Sequence, residues 1–497
     1  MKSWIASSVI YQINLRGLAV REPRNAIEAA REKPPAESPL AYVARNLPTI
    51  RKLGANVLYF MPPYPIGRAF RKGIGSPYSI RDFRAIDPEY GTLDDMKMLV
   101  ARAHRLGFRV ILDITPNHTS RDHVWVETHP EFYVRREDGE IFYDCDWSDT
   151  AKLDYRQPAL RREMIEIYDF WLNLLGGGDG VDGFRLDMAH FINDRSFWNE
   201  AIPELRRRHP DRELLFLAEC YGFANNADLF DRGINAAYDD DFYKVCANLY
   251  GISEDGRSAI VPAAGLAGNQ DFKDRYEAFL HGGIAGAFAR AILNYEERYG
   301  KHRPPFVARY TDNHDEGRGF YLFGPEAAKA INMLIFMAPR TLPFLLTGEE
   351  FGALNRPPIH DRLVPIGKRR RIQLADHVRE QESVEFEGNC FARDPSERAA
   401  IYQFFQDLIR LRRSRPELVR GSFTLFDAGE DCQPSQRSVL AFDRRYGRRV
   451  LRCAVNLGPH PRRLRAASAF AGHVLFGGLE GDTLPRFSGI CVEVATA

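Results

Sequence analysis

Cysteine is sparse and scattered. The seven residues, at positions 145, 220, 246, 390, 432, 453 and 491, form no CxxC pair and no Cys/His cluster. That argues against a zinc site and for reduced core thiols, as in a cytoplasmic protein. An excess of one charge is missing as well. With 68 basic and 67 acidic residues the formal net charge is +1, which offers no field for nucleic acid or an anionic membrane surface. No apolar run approaches the roughly 18 residues of a membrane-spanning helix. The opening stretch "MKSWIASSVIYQINLRG" is interrupted by Ser7, Ser8, Gln12 and Asn14. It lacks the continuous apolar segment of a secretory signal and reads as a first strand. No glycine fingerprint of the dinucleotide-binding type follows that strand. Low-complexity linkers and long-period repeats are absent too.

What is present is a chain of 497 residues, 44% hydrophobic and 27% charged, enough for a sizeable core. Strand, loop and helix alternate. "LAYVARNLPTIRKLG" carries Leu40, Val43, Leu47 and Ile50 at helical spacing and stops at Gly54. "TLDDMKMLVARAHRLG" has Thr92 as N-cap with Asp95 three residues on, an apolar face of Met96, Leu99, Val100 and Ala103, and Gly107 as its stop. Strands are predicted at "SVIYQINL", "NVLYFMPP", "FRVILDITPNH", "GVDGFRLDMAH", "LLFLAEC", "INAAYDDDFY", "PPFVARYTDNHD" and "TLPFLLTGEEFG", eight in all. Eight such units imply a parallel (β/α)8 barrel more economically than a doubly wound open sheet. The barrel is assigned to 1–118 and 158–420. Residues 119–157, polar and aromatic, form a small insertion after the third strand. Short alternating segments from 421 to 497 predict a C-terminal antiparallel β-sandwich.

In parallel barrels the chemistry sits at the C-terminal ends of the strands. Strand three ends in Asp113, Asn117 and His118, strand four in Arg185 and Asp187, strand five in Glu219, and strand seven in Asn313, His314 and Asp315. Each alone could be a solvated strand end. Together, three carboxylates with an arginine and histidines suit glycoside hydrolysis, which needs a proton on the leaving oxygen and a stabilised oxocarbenium-like carbon. Arg185 and Asp187 share a strand face, so the guanidinium is expected to keep Asp187 ionised as a nucleophile. Glu219 follows the apolar "LLFLA" and is expected to be held protonated by desolvation, as a general acid.

The segments "DITPNH", "GFRLDMAH", "FLAEC" and "YTDNHD" resemble, in order, those of the α-amylase family, glycoside hydrolase family thirteen. "GSPYSIRDF", "TAKLDY" and "PFLLTGEEFG" add to the likeness. The resemblance implies the barrel, insertion and C-terminal sandwich. It also implies Asp187 as nucleophile, Glu219 as acid/base and Asp315 as transition-state stabiliser. Arg185, His118, His314 and the platform ring of Tyr78 would contact the sugar, and Asp113 and Asn117 would shape the site. A rim tyrosine packed for structure alone is the other reading of Tyr78.

The chain departs from the pattern where many α-amylases place a histidine four residues after the nucleophile, touching the next sugar and calcium. Here that position is Phe191, and His190 comes one residue early. The insertion offers few ligands beyond Asp144, Asp146 and Asp154, each of which could be a turn residue. No cofactor is required, a structural calcium is not favoured, and metal ligands stay unassigned. The run "GKRRRIQ", Gly367–Gln373, reads as a solvated charged face, with a phosphate contact as the sharper alternative. The leading expectation is a retaining α-glycosidase acting on an α-linked glucose oligosaccharide or disaccharide. A transglycosylase or isomerase on the same fold is the alternative, and a non-catalytic scaffold is remote because all three carboxylates are present. Neither nucleic acid nor membrane is an expected partner, and the oligomeric state is open.

Overall fold

A computed structural model describes residues 3–19, 37–250, 282–299, 305–353, 359 and 395–494. Among the described residues ten strands precede the C-terminal region: β1 (Ile10–Ile13), β2 (Val57–Phe60), β3 (Arg109–Ile114), β4 (His118–Ser120), β5 (Thr150–Lys152), β6 (Gly183–Leu186), β7 (Leu215–Ala218), β8 (Ala236–Tyr238), β9 (Phe306–Arg309) and β10 (Thr341–Leu346). Eight of them close a barrel in the order β1-β2-β3-β6-β7-β8-β9-β10. All eight expected strands are therefore present. Except for Arg109, every residue in these eight strands is buried. That is why they read as near-continuous apolar runs and not as a polar–apolar alternation.

The chain divides into two compact units. One is Met1–Tyr238 with Leu346–Gly348 and Asn355–Phe391; the other is Asp239–Leu345, Glu349–Leu354 and Ala392–Ala497. In the first, the helix Pro39–Leu53 begins at Ser38, whose hydroxyl accepts from the Ala41 N–H, and ends at Gly54 with φ 106°. The helix Leu93–Arg105 has the expected capping box, with Thr92 and Asp95 each bonded to the other's main-chain N–H. Gly183 opens β6 where only glycine fits: a Cβ there would lie 2.0 Å from the Leu215 carbonyl oxygen.

Boundaries differ from expectation: the sixth strand stops at Tyr238, and the helix Asp240–Tyr250 takes most of the rest of "INAAYDDDFY". The third strand does not run on to His118 but stops at Ile114, and Pro116, lacking an N–H, separates it from β4. His118 instead pairs antiparallel with Lys152 of β5, so the two ends of the excursion form a small ribbon.

In the second unit, Arg309 of β9 donates to Asp239 Oδ2 at 2.7 Å, a fully buried pair. The C-terminal strands are β11 (Ser422–Phe426), β12 (Val439–Tyr446), β13 (Arg449–Asn456), β14 (Arg462–Arg463), β15 (His473–Gly477), β16 (Thr483–Leu484) and β17 (Gly489–Val494). They make a five-stranded antiparallel sheet, β11-β12-β13-β17-β15, and a two-stranded ribbon, β14-β16. Ala441, Ala454, Ile490 and Val492 of the sheet share one core with Leu484 of the ribbon. The buried Arg444 of β12 donates to the carbonyls of Met337 and Gly421, fastening the sheet to the helix Pro325–Met337. The described cysteines are free thiols. No helix among the described residues is long and apolar enough to cross a membrane.

Candidate active site

The polar face of β6 turns inward, and its arginine becomes the hub of the first unit. Arg185 is paired in register with Asp113 of β3 and Leu217 of β7. Its Nη1 donates to Asp113 Oδ1 at 2.9 Å and to Asp187 Oδ1 at 2.7 Å. Its Nη2 lies 3.0 Å from Glu219 Oε1, an ion pair without hydrogen-bond geometry. Arg185 and Asp113 are both fully buried. The rings of Tyr78 and Tyr238 flank the guanidinium, their centroids 5.6 and 5.4 Å from its carbon.

The second carboxyl oxygen of Asp113 accepts from the hydroxyls of Tyr59 at 2.6 Å and Tyr78 at 3.1 Å. Asp113 is thus fixed from both sides and is itself what fixes Arg185. Asp187 and Glu219 stand one residue beyond β6 and β7, and the barrel ladder continues under them: their N–H groups donate to Ile114 and Leu186. Glu219 Oε2 accepts from the Met188 N–H and Oε1 from the Tyr221 hydroxyl, both at 2.9 Å. Met188 reaches this position with φ 44°, a left-handed conformation that costs a non-glycine residue free energy.

The electrostatics depart from the sequence reading. One guanidinium faces three carboxylates. Burial, and after it the charge of Glu219, pushes the Asp187 carboxyl well above the usual range, with Arg185 only opposing. Arg185 was expected to dominate, but its charge is divided among three partners.

His118 is buried, its ring centroid 5.6 Å from that of Trp147. Its Nδ1 faces the Asn117 amide Nδ2 at 3.2 Å, while Nε2 has no hydrogen-bond partner in the protein. Burial first and the Lys152 charge second pull its pKa down to about 3, the Asp144 charge and then the Tyr78 main chain opposing. The ring is therefore neutral, and acceptance at Nδ1 makes Nε2 the donor.

The second unit carries the other predicted residues. His314 is buried, and its Nε2 lies 3.0 Å from Asp315 Oδ2, with the Asp315 side chain 43% exposed. Asn313 Oδ1 accepts from the N–H groups of Asp315 and Glu316 at 2.8 and 3.0 Å, which turns the chain here.

Residues 39–138 and 131–227 match the model of the α-amylase catalytic domain. Over these residues the chain is similar to the α-amylase family. It is 37% identical over 200 residues to the α-1,4-glucan:maltose-1-phosphate maltosyltransferase of Rhodospirillum rubrum, a match covering 36% of this chain and 28% of that protein. It is 28% identical over 364 residues to the α-amylase MalA of Haloarcula japonica, covering 71% and 45% respectively. These matches thus span less than half the length of either relative. The crystal structure of an α-amylase from Lactobacillus plantarum shares the fold, with a TM-score of 0.70 at 23% identity over 99% of both chains.

Several residues at this site give little functional signal in the sequence. Tyr59 and Tyr238 read as strand core, because a tyrosine in an apolar run gives no sign that its hydroxyl meets a carboxylate, as that of Tyr59 does, or that its ring meets a guanidinium, as that of Tyr238 does. Tyr221 lay only two residues past Glu219, a signal that could have been used. Asp154 proves to be a turn residue paired with Arg156 and Asn193. The run Gly367–Gln373 lies outside the described residues.

Proposed function

We propose that this protein cleaves an α-glucosidic bond by double displacement with retention, and hydrolyses α-linked glucose oligosaccharides or disaccharides. The observation that supports this most is the sharing of the Arg185 fork by Asp187 and Glu219 at the ends of adjacent strands. Two carboxyls held on one rigid plane can act on one bond. In the first step Glu219 gives its proton to the glycosidic oxygen as the C1–O bond breaks. Asp187 then bonds to the anomeric carbon. In the second, Glu219 takes a proton from water, the oxygen of that water bonds to C1, and the ester to Asp187 breaks. For this step the pair's proton rests on Glu219, which removes the Glu219 charge that raises the Asp187 pKa, and the positive charge developing on the sugar favours ionised Asp187 against the burial that remains.

The remaining residues bind and orient. The Tyr78 ring offers a stacking face, and neutral His118 offers an N–H to a sugar hydroxyl. Asp315 takes the stabilising role, and His314 the sugar contact, that their places in "YTDNHD" imply.

A second reading, transfer of the glycosyl unit to a sugar or to phosphate, is favoured by the maltosyltransferase among the relatives. It shares the first step and differs in which nucleophile completes the second. Incubation with maltose, maltotriose, isomaltose, trehalose, sucrose and soluble starch, with and without phosphate, separates the two by chromatography. Free glucose and short maltosides support hydrolysis. New disaccharides or a phosphate requirement support transfer. No turnover of any α-linked sugar rejects both.

A further inference from the structure

Three oxygen atoms from separate stretches of the first unit converge on one buried side chain. Lys152 Nζ donates to Asn117 Oδ1 at 2.6 Å, to Asp144 Oδ2 at 2.7 Å and to the main-chain carbonyl of Phe191 at 2.7 Å. Asn117 follows β3 and Phe191 follows β6, whereas Asp144 and Lys152 belong to the excursion. The Lys152 side chain is only 6% exposed. An ammonium has three N–H donors, and here each has an oxygen. The Asn117 amide turns its Nδ2 to Asp144 Oδ2 at 2.8 Å, so the cage is also bonded to itself.

An amide oxygen, a carboxylate and a main-chain carbonyl are the oxygen types that calcium takes. A cation among them would link the excursion to the strands that Asn117 and Phe191 follow. With the ammonium at their centre they do not fit the ion: a second cation on the same oxygens would be repelled at close range and would find their lone pairs in use. We propose that Lys152 is an internal cation standing in for a metal, tying the excursion to the barrel through Asn117, Asp144 and Phe191. Phe191 is compatible with this role because only its main-chain carbonyl takes part. Asp144 supplies the one formal countercharge in the cage. The tie also reaches the candidate active site. Asn117 bonds the cage with Oδ1 and approaches His118 with Nδ2, so Lys152 is a positioning residue for that ring. The structural claim is independent of which substrate is turned over.

Thermal unfolding of the full chain in chelator, calcium or magnesium tests this. The wild type should melt at one temperature in all three. Lys152→Ala should melt several degrees lower in chelator and recover most of the loss in millimolar calcium, with less recovery in magnesium, which demands a tighter octahedral shell. The proposal is overturned by any of three results. The first is a wild type that loses stability in chelator and regains it with calcium alone. The others are a Lys152→Ala protein that melts like wild type in chelator, or one that melts low and gains nothing from calcium. Should Lys152→Ala not fold, Lys152→Met, which keeps the aliphatic stem, carries the same arms. Calorimetric titration of the wild type with calcium also decides, since stoichiometric binding that raises the melting temperature contradicts an internal cation.

Discussion

Two buried cations in the first unit invite comparison. Lys152 meets one carboxylate and two neutral oxygens, so its charge is balanced and every donor is used. Arg185 meets three carboxylates, so negative charge is in excess and Asp187 is forced toward its protonated form. The first arrangement suits a fixed tie. The second is poised: its charge is satisfied only when a further positive charge, such as an oxocarbenium-like carbon, comes near. Imbalance of buried charge, and not burial itself, is what separates a reacting cluster from a structural one.

The comparison breaks most visibly at Asp187. Asp187→Asn should lower turnover by about 10⁴-fold or more, since nothing else on β6 can form the ester. It should not lower stability. A carboxyl whose folded pKa is raised destabilises the fold above that pKa and is without penalty below its unfolded value. The neutral amide should therefore melt at or above the wild-type temperature at neutral pH. A clear fall in melting temperature would show that the Arg185 cluster is a structural tie like the one at Lys152.

Arg185→Lys comes next. An ammonium cannot span Asp113, Asp187 and Glu219 as a planar fork does. Breaking a buried pair of this kind costs about 3–5 kcal/mol, so both folding stability and turnover should suffer. Retention of wild-type kcat would contradict the hub.

Glu219→Gln sharpens the electrostatic part. With natural substrates it should be nearly inactive, but a substrate with a good leaving group needs little protonation and should still undergo the first step. Removing the Glu219 charge removes the second-largest cause of the raised Asp187 pKa. The acid limb of that first step should therefore move to lower pH than in wild type. An unmoved limb would separate the two carboxyls.

Smallest is Tyr78. Tyr78→Phe deletes one hydrogen bond to Asp113, worth about 1 kcal/mol, and keeps the ring. Tyr78→Ala should raise KM and lower kcat far more, because the stacking face goes. Equal losses would assign the ring to packing.

Much of this was legible because it is local. The capping box at Thr92 and Asp95, and the apolar runs ending at Asp187 and Glu219, lie within a few residues of each other. What was not legible depends on register across strands. Glu219 meets Arg185 only because β6 and β7 pair, so the sequence reading gave Arg185 to Asp187 alone and misjudged the sign of its shift. Lys152 sat inside "TAKLDY" without notice, since its three acceptors lie 8, 35 and 39 residues away. His118 reads as barrel strand from its apolar approach, whereas Pro116 ends the ladder before it.

The central claim is that Asp187 forms a covalent bond to the anomeric carbon and Glu219 then delivers the second nucleophile to the same face that the leaving group left. Proton NMR of the first sugar released from an α-linked substrate reads this directly, before mutarotation mixes the anomers. The account requires the α-anomer to appear first. Appearance of the β-anomer first would mean single displacement by water, and Asp187 would not be the nucleophile.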